Sequence, residues 1–395
     1  MSKKILVINI GWEQEPLIVS LKSRGYKLFG ISNNDISSPY FEQTFNVEFR
    51  NLEELLRIAK EIMPDAVISD QCDYSHFAQA FICESLGLKG PSLNAAQVSS
   101  NKMIQRELAL SKGILIPAFK VVYNYEEAVT IAQEIGYPII IKPIDNRGSF
   151  GVSKIKNLSE LKKGYFSALI NSHSRFVLIE KFIDGYEITV DGYCFDKIPK
   201  SLSIALKSKE GLASQVSMDI KYPAEIPSEV YQKALINNEF VAKSLGYTFG
   251  MIHSEYIVNA KNEIYLVESA NRGGGVFTSE IIVPKVSGVD ILTRYIDDVL
   301  GLESSISAPS NVEKNQVILK FFSFKKGKIK FIQEFDKVKL KDGVLKCRLQ
   351  VKSGDVINSI ENDGSRHGFI IYESNNDIRK EVSEIIETIK IEYEE

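Results

Sequence analysis

The chain has 395 residues, enough for about two to three domains, and its 44% apolar and 25% charged residues are the ordinary mix of a globular protein. Forty-eight Lys plus Arg against fifty-one Asp plus Glu give a net charge of −3, which argues against a general nucleic-acid binder, because those carry a basic excess. No apolar run approaches the ~20 residues that cross a bilayer, and the four cysteines, Cys72, Cys83, Cys194 and Cys347, are far apart with no CxxC spacing, which fits reduced thiols in the cytoplasm rather than a disulfide framework or a zinc site.

Residues 1–100 alternate short apolar strands with helices. The pattern predicts strands at Ile5–Ile10, Lys27–Ser32 and Ala66–Ser69, with helices at Glu15–Arg24, Leu52–Ile62 and His76–Leu86. Such alternation implies a doubly wound parallel sheet with right-handed crossovers, whose ligands sit at the carboxyl ends of the strands. Those ends carry Gly11-Trp12-Glu13 and Asp70-Gln71-Cys72-Asp73. The single glycine after the first strand is not GxGxxG, which excludes a dinucleotide site there. Trp12 and Glu13 read equally well as a packed loop and as a substrate contact.

A second block, residues 101–302, opens with a helix at Lys102–Gly113. Strands follow at Ala118–Val122, Pro138–Lys142, Phe176–Phe182 and Glu187–Phe195, then a helix at Val230–Leu245 and a hairpin of Met251–Val258 with Glu263–Ser269. Residues 303–315 read as a linker. The remainder is strand-rich and ends in a charged amphipathic helix from about Asp377, and Lys325-Lys326-Gly327-Lys328 reads as a hairpin turn.

Lys142 ends a buried apolar strand, where a cation is costly unless it meets an anion. Asn146-Arg147-Gly148-Ser149-Phe150-Gly151 follows at once, and two glycines among small polar residues let backbone N–H groups curl around phosphate. A surface turn with Lys142 reaching outward is the competing reading. Farther on, Glu180-Lys181-Phe182-Ile183 and Glu187 flank a turn at Asp184-Gly185. That hinge would suit a purine and its ribose, and it also reads as a plain hairpin.

In the later hairpin, a loop of Asn259-Ala260-Lys261-Asn262 sets Val258 opposite Glu263, Glu255 opposite Leu266 and His253 opposite Glu268. In this register His253, Glu255, Ile257, Ile264, Leu266 and Glu268 share one face. Glu255 and Glu268 become diagonal neighbours roughly 7–8 Å apart. Two carboxylates that close repel unless a cation intervenes, and a shared Mg²⁺ is the natural resolution. A one-residue slip would undo the argument. Arg272, followed by Gly273-Gly274-Gly275, offers a planar fork for a carboxylate or phosphate where the backbone can approach closely.

Taken in order, these residues resemble the ATP-grasp ligases over essentially the whole chain. The resemblance implies an α/β and α+β architecture: an N-terminal doubly wound parallel-sheet domain (1–100), an ATP-grasp domain (101–302) with a nucleotide lid at about 118–183, and a small strand-rich C-terminal domain (303–395). It implies that Lys102 and Lys142 contact ATP phosphates and that Arg147, Gly148, Ser149 and Gly151 close over them. Glu180 with Lys181, Phe182 and Ile183 would hold adenine, and Glu187 the ribose. Glu255 and Glu268 would carry Mg²⁺ (or Mn²⁺), and Arg272 an acyl phosphate. Where the family often has E-x-N-x-R, this chain has Ala270, with Asn271 one step on.

The Gly250, His253, Glu255 and R-G-G-G pattern is more similar to the branch that joins amino acids to amines than to the carboxylases. The implied partners are small-molecule carboxylate and amine substrates in a cytoplasmic enzyme, with no nucleic acid or membrane and a possible homodimer. His253 would deprotonate the amine or, alternatively, bond Glu268 across the hairpin. Lys207 precedes a polar stretch, Ser208–Ser217, that would form a substrate-covering loop. The competing functions are a carboxylase or formyl-transferring relative and a non-catalytic nucleotide-binding protein.

Overall fold

The computed structural model describes residues 2–209, 216–308 and 316–394. The N-terminal region is a four-stranded parallel sheet in the order Gln43–Asn46, Lys27–Ser32, Lys4–Ile8, Ala66–Ile68. The strand Lys4–Ile8 is interior in this order, with neighbours on both edges, which is why it reads as an unbroken apolar run. Its helices behave as their sequences dictate. Leu52–Ile62 starts at Asn51, whose side chain accepts from the Glu54 N–H, and it buries Leu55, Ile58, Ala59 and Ile62 at helical spacing.

The predicted lid is a four-stranded antiparallel sheet in the order Phe119–Val122, Val177–Lys181, Ile139–Pro143, Ser153–Ile155. The helices Tyr125–Ile135 and Leu158–Ile170 cover it around a core that includes Ile139, Ile141, Tyr165 and Ile179.

An eight-stranded sheet dominates the rest. Its order is Ile264–Ala270, Gly250–Val258, Tyr186–Phe195, Ile198–Lys209, Ser217–Tyr222, Val317–Phe321, Gly368–Glu373, Val344–Leu349. It runs without a break across the boundary expected at 302/303, because Ser217–Tyr222 pairs with Val317–Phe321. The C-terminal region is therefore joined to the central one by backbone hydrogen bonds as well as by the connecting chain.

Three expectations change. The polar stretch expected as a loop at 208–217 begins and ends in strands, Ile198–Lys209 and Ser217–Tyr222, and its centre, 210–215, lies outside the described residues. The final helix is only Ile378–Glu387, and a strand at Lys390–Tyr393 follows it. Lys325–Lys328 is not a hairpin turn, since the strands on either side, Val317–Phe321 and Gly327–Gln333, belong to different sheets. In all three, pairing between distant segments overrides the local pattern. No helix of the described residues is long and apolar enough to cross a membrane, and all four cysteines are free.

Candidate functional site

The hairpin register differs from the expected one. Val258 faces Ile264, Ile257 faces Tyr265 and Tyr256 faces Leu266. The ladder then skips Val267, so that Glu255 faces Glu268 and His253 faces Ala270. This β-bulge makes the two carboxylates direct neighbours rather than diagonal ones, with Cα atoms roughly 5 Å apart by the usual spacing. Ile264 and Leu266 lie not on their face but in the core with Tyr256 and Val258.

The helix Lys102–Ser111 holds the bulge in place. Three of its residues, spaced for one face, reach the hairpin. Lys102 Nζ lies 2.8 Å from Glu268 Oε1 and 2.7 Å from the Asn146 carbonyl. The Gln105 side chain donates to the Ser269 carbonyl at 2.7 Å and accepts from its N–H at 3.0 Å, as a neighbouring strand would. Arg106 donates to the carbonyl of Val267, the bulged residue, at 2.5 Å and to Glu180 Oε1 at 2.6 Å.

Glu180 is 3% exposed, and its other oxygen lies 2.6 Å from Lys142 Nζ. Burial alone would raise its pKa, but Arg106 and Lys142 hold it down to about 2. Burial lowers that of Lys142, which Glu180 partly restores. Both Glu180 oxygens are thus committed to cations, and the side chain that sequence reading assigned to adenine works as an anchor for Lys142. Lys181 Nζ is drawn back to the Gly136 carbonyl at 2.8 Å. Phe182 and Ile183 stay half-exposed at the hinge, with Lys154 Nζ 3.4 Å above the Phe182 ring. Glu187 pairs with Lys209.

Lys207, expected only as the start of a loop, is a strand residue whose Nζ lies 2.8 Å from Glu255 Oε1. Lys207 and His253 hold Glu255 well below the ordinary carboxylate range despite its burial. His253 does not bond Glu268 across the hairpin. Its Nδ1 lies 2.7 Å from Asp191 on the adjacent strand, and its Nε2 is 3.8 Å from Glu255. Burial opposes protonation, but the two carboxylates raise its pKa to about 9. The expected role of His253 as the base that takes the amine's proton needs the neutral ring, which the pairing with Asp191 disfavours.

The N-terminal strand ends meet the glycine segment after the hairpin. Arg272 makes a two-pronged pair with Asp73, at 2.7 and 2.9 Å. Arg272 brings Asp73 to about 2 against the effect of burial. Asp70 accepts from the Gly273 N–H at 2.8 Å, and Gln71 reaches the Phe277 N–H and Glu280. Val276 and Phe277 hold positive φ, at 56° and 59°, and lead into a π-helical turn at Thr278–Ile282. Strained φ and π-helical turns both concentrate at functional sites. Trp12 is settled as a packed residue, with its ring 5.4 and 5.5 Å from those of Phe277 and Phe369.

The glycine loop roofs the site, with Gly148, Ser149 and Gly151 at φ of 62°, 60° and 72°. Such turns suit glycine, and the Phe150 and Val152 N–H groups donate to the Arg147 and Ser149 carbonyls within the loop. Below the roof, Asp73, Lys102, Asn146, Arg147 and Glu268 line a small polar cavity. Sequence reading missed Arg106 and Gln105, and it placed Asp73 and Lys207 near the site without their partners Arg272 and Glu255. The first two carried a signal in their helical spacing from Lys102, while the partners of Asp73 and Lys207 carried none, because they are remote in the chain.

Residues 135–280 match the ATP-grasp domain family. The chain carries an ATP-grasp domain. Residues 320–394 match the L-amino acid ligase C-terminal domain 2, and the whole has the ATP-grasp fold. It superposes on the L-amino acid ligase of Bacillus licheniformis with a TM-score of 0.85 and 18% identity, covering 100% of this chain and 99% of that one. It also superposes on the biotin carboxylase domain of the Hydrogenobacter thermophilus 2-oxoglutarate carboxylase, solved with MgADP and bicarbonate, at 0.78 and 19%, covering 99% and 91%. Among curated proteins it is 26% identical to a D-alanine–D-alanine ligase of Geobacter sulfurreducens over 50% of this chain and 62% of that protein. It is 23% identical to the carbamoyl phosphate synthase large chain of Rubrobacter xylanophilus over 69% and 27%. The chain thus spans less than two thirds of the length of these curated relatives.

Proposed function

We propose that the protein is an ATP-dependent carboxylate–amine ligase. It activates a small carboxylate, such as an amino acid, as an acyl phosphate and passes the acyl group to an amine, releasing ADP and phosphate. The observation that carries this reading is the pairing of Glu255 with Glu268 across the bulge, each met by a lysine, beneath a glycine loop. The donor set fits Mg²⁺: two facing carboxylates form an oxygen site completed by water and phosphate, and the ammonium groups of Lys102 and Lys207 already mark it as a place for positive charge. Bound there, the ion would neutralise the charge that develops on the transferred phosphoryl group.

The chain's own groups do the rest. Lys142, anchored by Glu180, and Lys102, anchored by Glu268, present cations to the phosphates. The loop 146–151 excludes water above them. Arg272, fixed by Asp73, aims its remaining donors at the oxyanion that forms when the amine attacks. The relatives named carbamoyl phosphate synthase and formate-dependent formyltransferase keep a second reading in view, activation of bicarbonate or formate.

The test is phosphate release from Mg-ATP by the purified chain over a panel of amino acids and carboxylates, with bicarbonate and formate as separate arms. Lys142→Ala is expected to lower release at least ~100-fold, as loss of a group that stabilises transition-state charge does. Undiminished turnover in that variant would sink the assignment, and a requirement for bicarbonate would move it to the second reading.

A further inference from the structure

The C-terminal segment Asn362–Arg366 sits against the glycine loop. The Asp363 N–H donates to the Gly148 carbonyl at 3.1 Å. The Phe150 ring lies over Gly364, where an added Cβ would be 3.2 Å from its Cζ. A short turn at Asp363–Ser365, closed at both ends by a capping box between Asn362 and Ser365, fixes this shape in advance.

Arg366 ties the segment to the floor. It is 8% exposed, and its Cζ is 3.6 Å from the centre of the Phe321 ring. Its Nη2 lies 2.9 Å from Asp363 Oδ1 and donates to the Ser217 carbonyl at 2.8 Å, while its Nε is buried without an acceptor. Burying an arginine here is costly unless its charge is used. Asp363 and Glu255 are the two anions whose fields act on it, and Asp363 in turn acts on Lys207, the partner of Glu255. Ser217 opens the strand through which the eight-stranded sheet passes from the central to the C-terminal region.

We propose that Asn362–Arg366 is a wall of the nucleotide cleft and that Arg366 is a positioning residue for it. By holding Asp363 and the Ser217 carbonyl together, Arg366 locks the glycine loop, the strand Ser217–Tyr222 and the C-terminal domain into one unit that grips a nucleoside polyphosphate. The inference rests on the nucleotide reading above.

Titration calorimetry of the full chain with MgADP separates the two. Arg366→Met is expected to weaken MgADP at least about tenfold, the scale of one lost charge-assisted contact. Arg366→Lys, which keeps a cation with donors for both acceptors, is expected to recover most of that loss. Lys330→Ala, an exposed C-terminal change at the Glu392 pair, is expected to bind like the unsubstituted chain. An Arg366→Met protein that melts cooperatively yet binds within about twofold of the unsubstituted chain overturns the proposal, since a purely structural arginine would lower the melting temperature and leave affinity alone. If Arg366→Met does not fold, hydrogen exchange on the unsubstituted chain decides. Residues 362–367 are expected to slow when MgADP binds, and unchanged exchange there overturns the proposal. A chain that binds no MgADP at all removes the ATP reading, and this inference with it.

Discussion

Arg106→Met tests the physical core of the site. Arg106 is fully buried, and it is the link between Glu180 and the bulged Val267 carbonyl. Methionine fills similar volume with no charge, so the substitution leaves Glu180 with Lys142 alone and Val267 without its donor. Breaking a buried pair by removing one partner costs about 3–5 kcal/mol. Lys142 still faces Glu180 at 2.6 Å, which favours the lower end, about 3 kcal/mol. The pH dependence gives a second handle. Glu180 goes from 4.5 to about 2 in the folded protein, so its ionised form contributes about 3 kcal/mol. The sign is that of a depressed carboxyl: the contribution is present above 4.5 and is lost as pH falls through 2. Without Arg106 the Glu180 pKa rises toward 4.5, so the window below 4.5 narrows and less stability is lost down the acid limb. Urea denaturation followed by the single tryptophan, Trp12, at neutral pH and down the acid limb measures both effects. Glu180→Gln alone and combined with Arg106→Met gives the coupling. A neutral-pH loss below about 1 kcal/mol, or an acid limb identical to that of the unsubstituted chain, would refute the reasoning.

Adjacent glycines should respond in opposite ways. A Cβ on Gly274 would lie 2.8 Å from His253 Nδ1 and 3.0 Å from Thr278, whereas one on Gly275 meets nothing within 4 Å. Gly274→Ala is expected to cost about 1–3 kcal/mol through overpacking and to cut ATP-dependent phosphate release sharply, while Gly275→Ala stays within about 0.5 kcal/mol and keeps its turnover; equal effects in the two would contradict the packing. Glu280 is raised well above its ordinary value by burial and by Asp70, and Asp70 Oδ2 and Glu280 Oε2 are both buried without a donor, so one shared proton satisfies both. A raised carboxyl gives stability that is whole below about 4.5 and is lost as pH rises through the folded value. Stability between about pH 5 and pH 8 is therefore expected to decline less in Glu280→Gln, whose amide mimics the protonated acid, than in the unsubstituted chain; parallel stability–pH curves would count against the shared proton.

What the sequence makes legible here is chemistry and local pattern, and what it hides is partnership. Three strands of the N-terminal sheet and three of the sheet within 118–183 were readable because short apolar runs are local signals, whereas the edge strands Gln43–Asn46 and Ser153–Ile155, short and polar, were not. Arg272 was readable as an anion fork, but Asp73, 199 residues away, was not readable as its holder. The strand Ile198–Lys209 places Lys207 beside Glu255 only because Tyr186–Phe195 lies between the two, and no local feature announces that order.

The hairpin shows the same division within one motif. The expected pairing put Glu268 on the face of Glu255 by strict alternation, and the two do share a face, but for a different reason. Below the bulge, Ile257 faces Tyr265, so odd-numbered residues of the second strand point toward the cleft. Continued without interruption, that register would turn Val267 inward and send Glu268 into the apolar core. The skipped Val267 reverses the alternation and returns Glu268 to the cleft opposite Glu255. An extra residue in a ladder leaves its carbonyl without a partner, and Arg106, from a helix about 160 residues earlier, supplies one. The facing of Glu255 and Glu268 therefore depends on a tertiary contact that hairpin sequence alone does not contain, and the arginine that provides it also fixes Glu180, and through it Lys142, on the opposite side of the cleft.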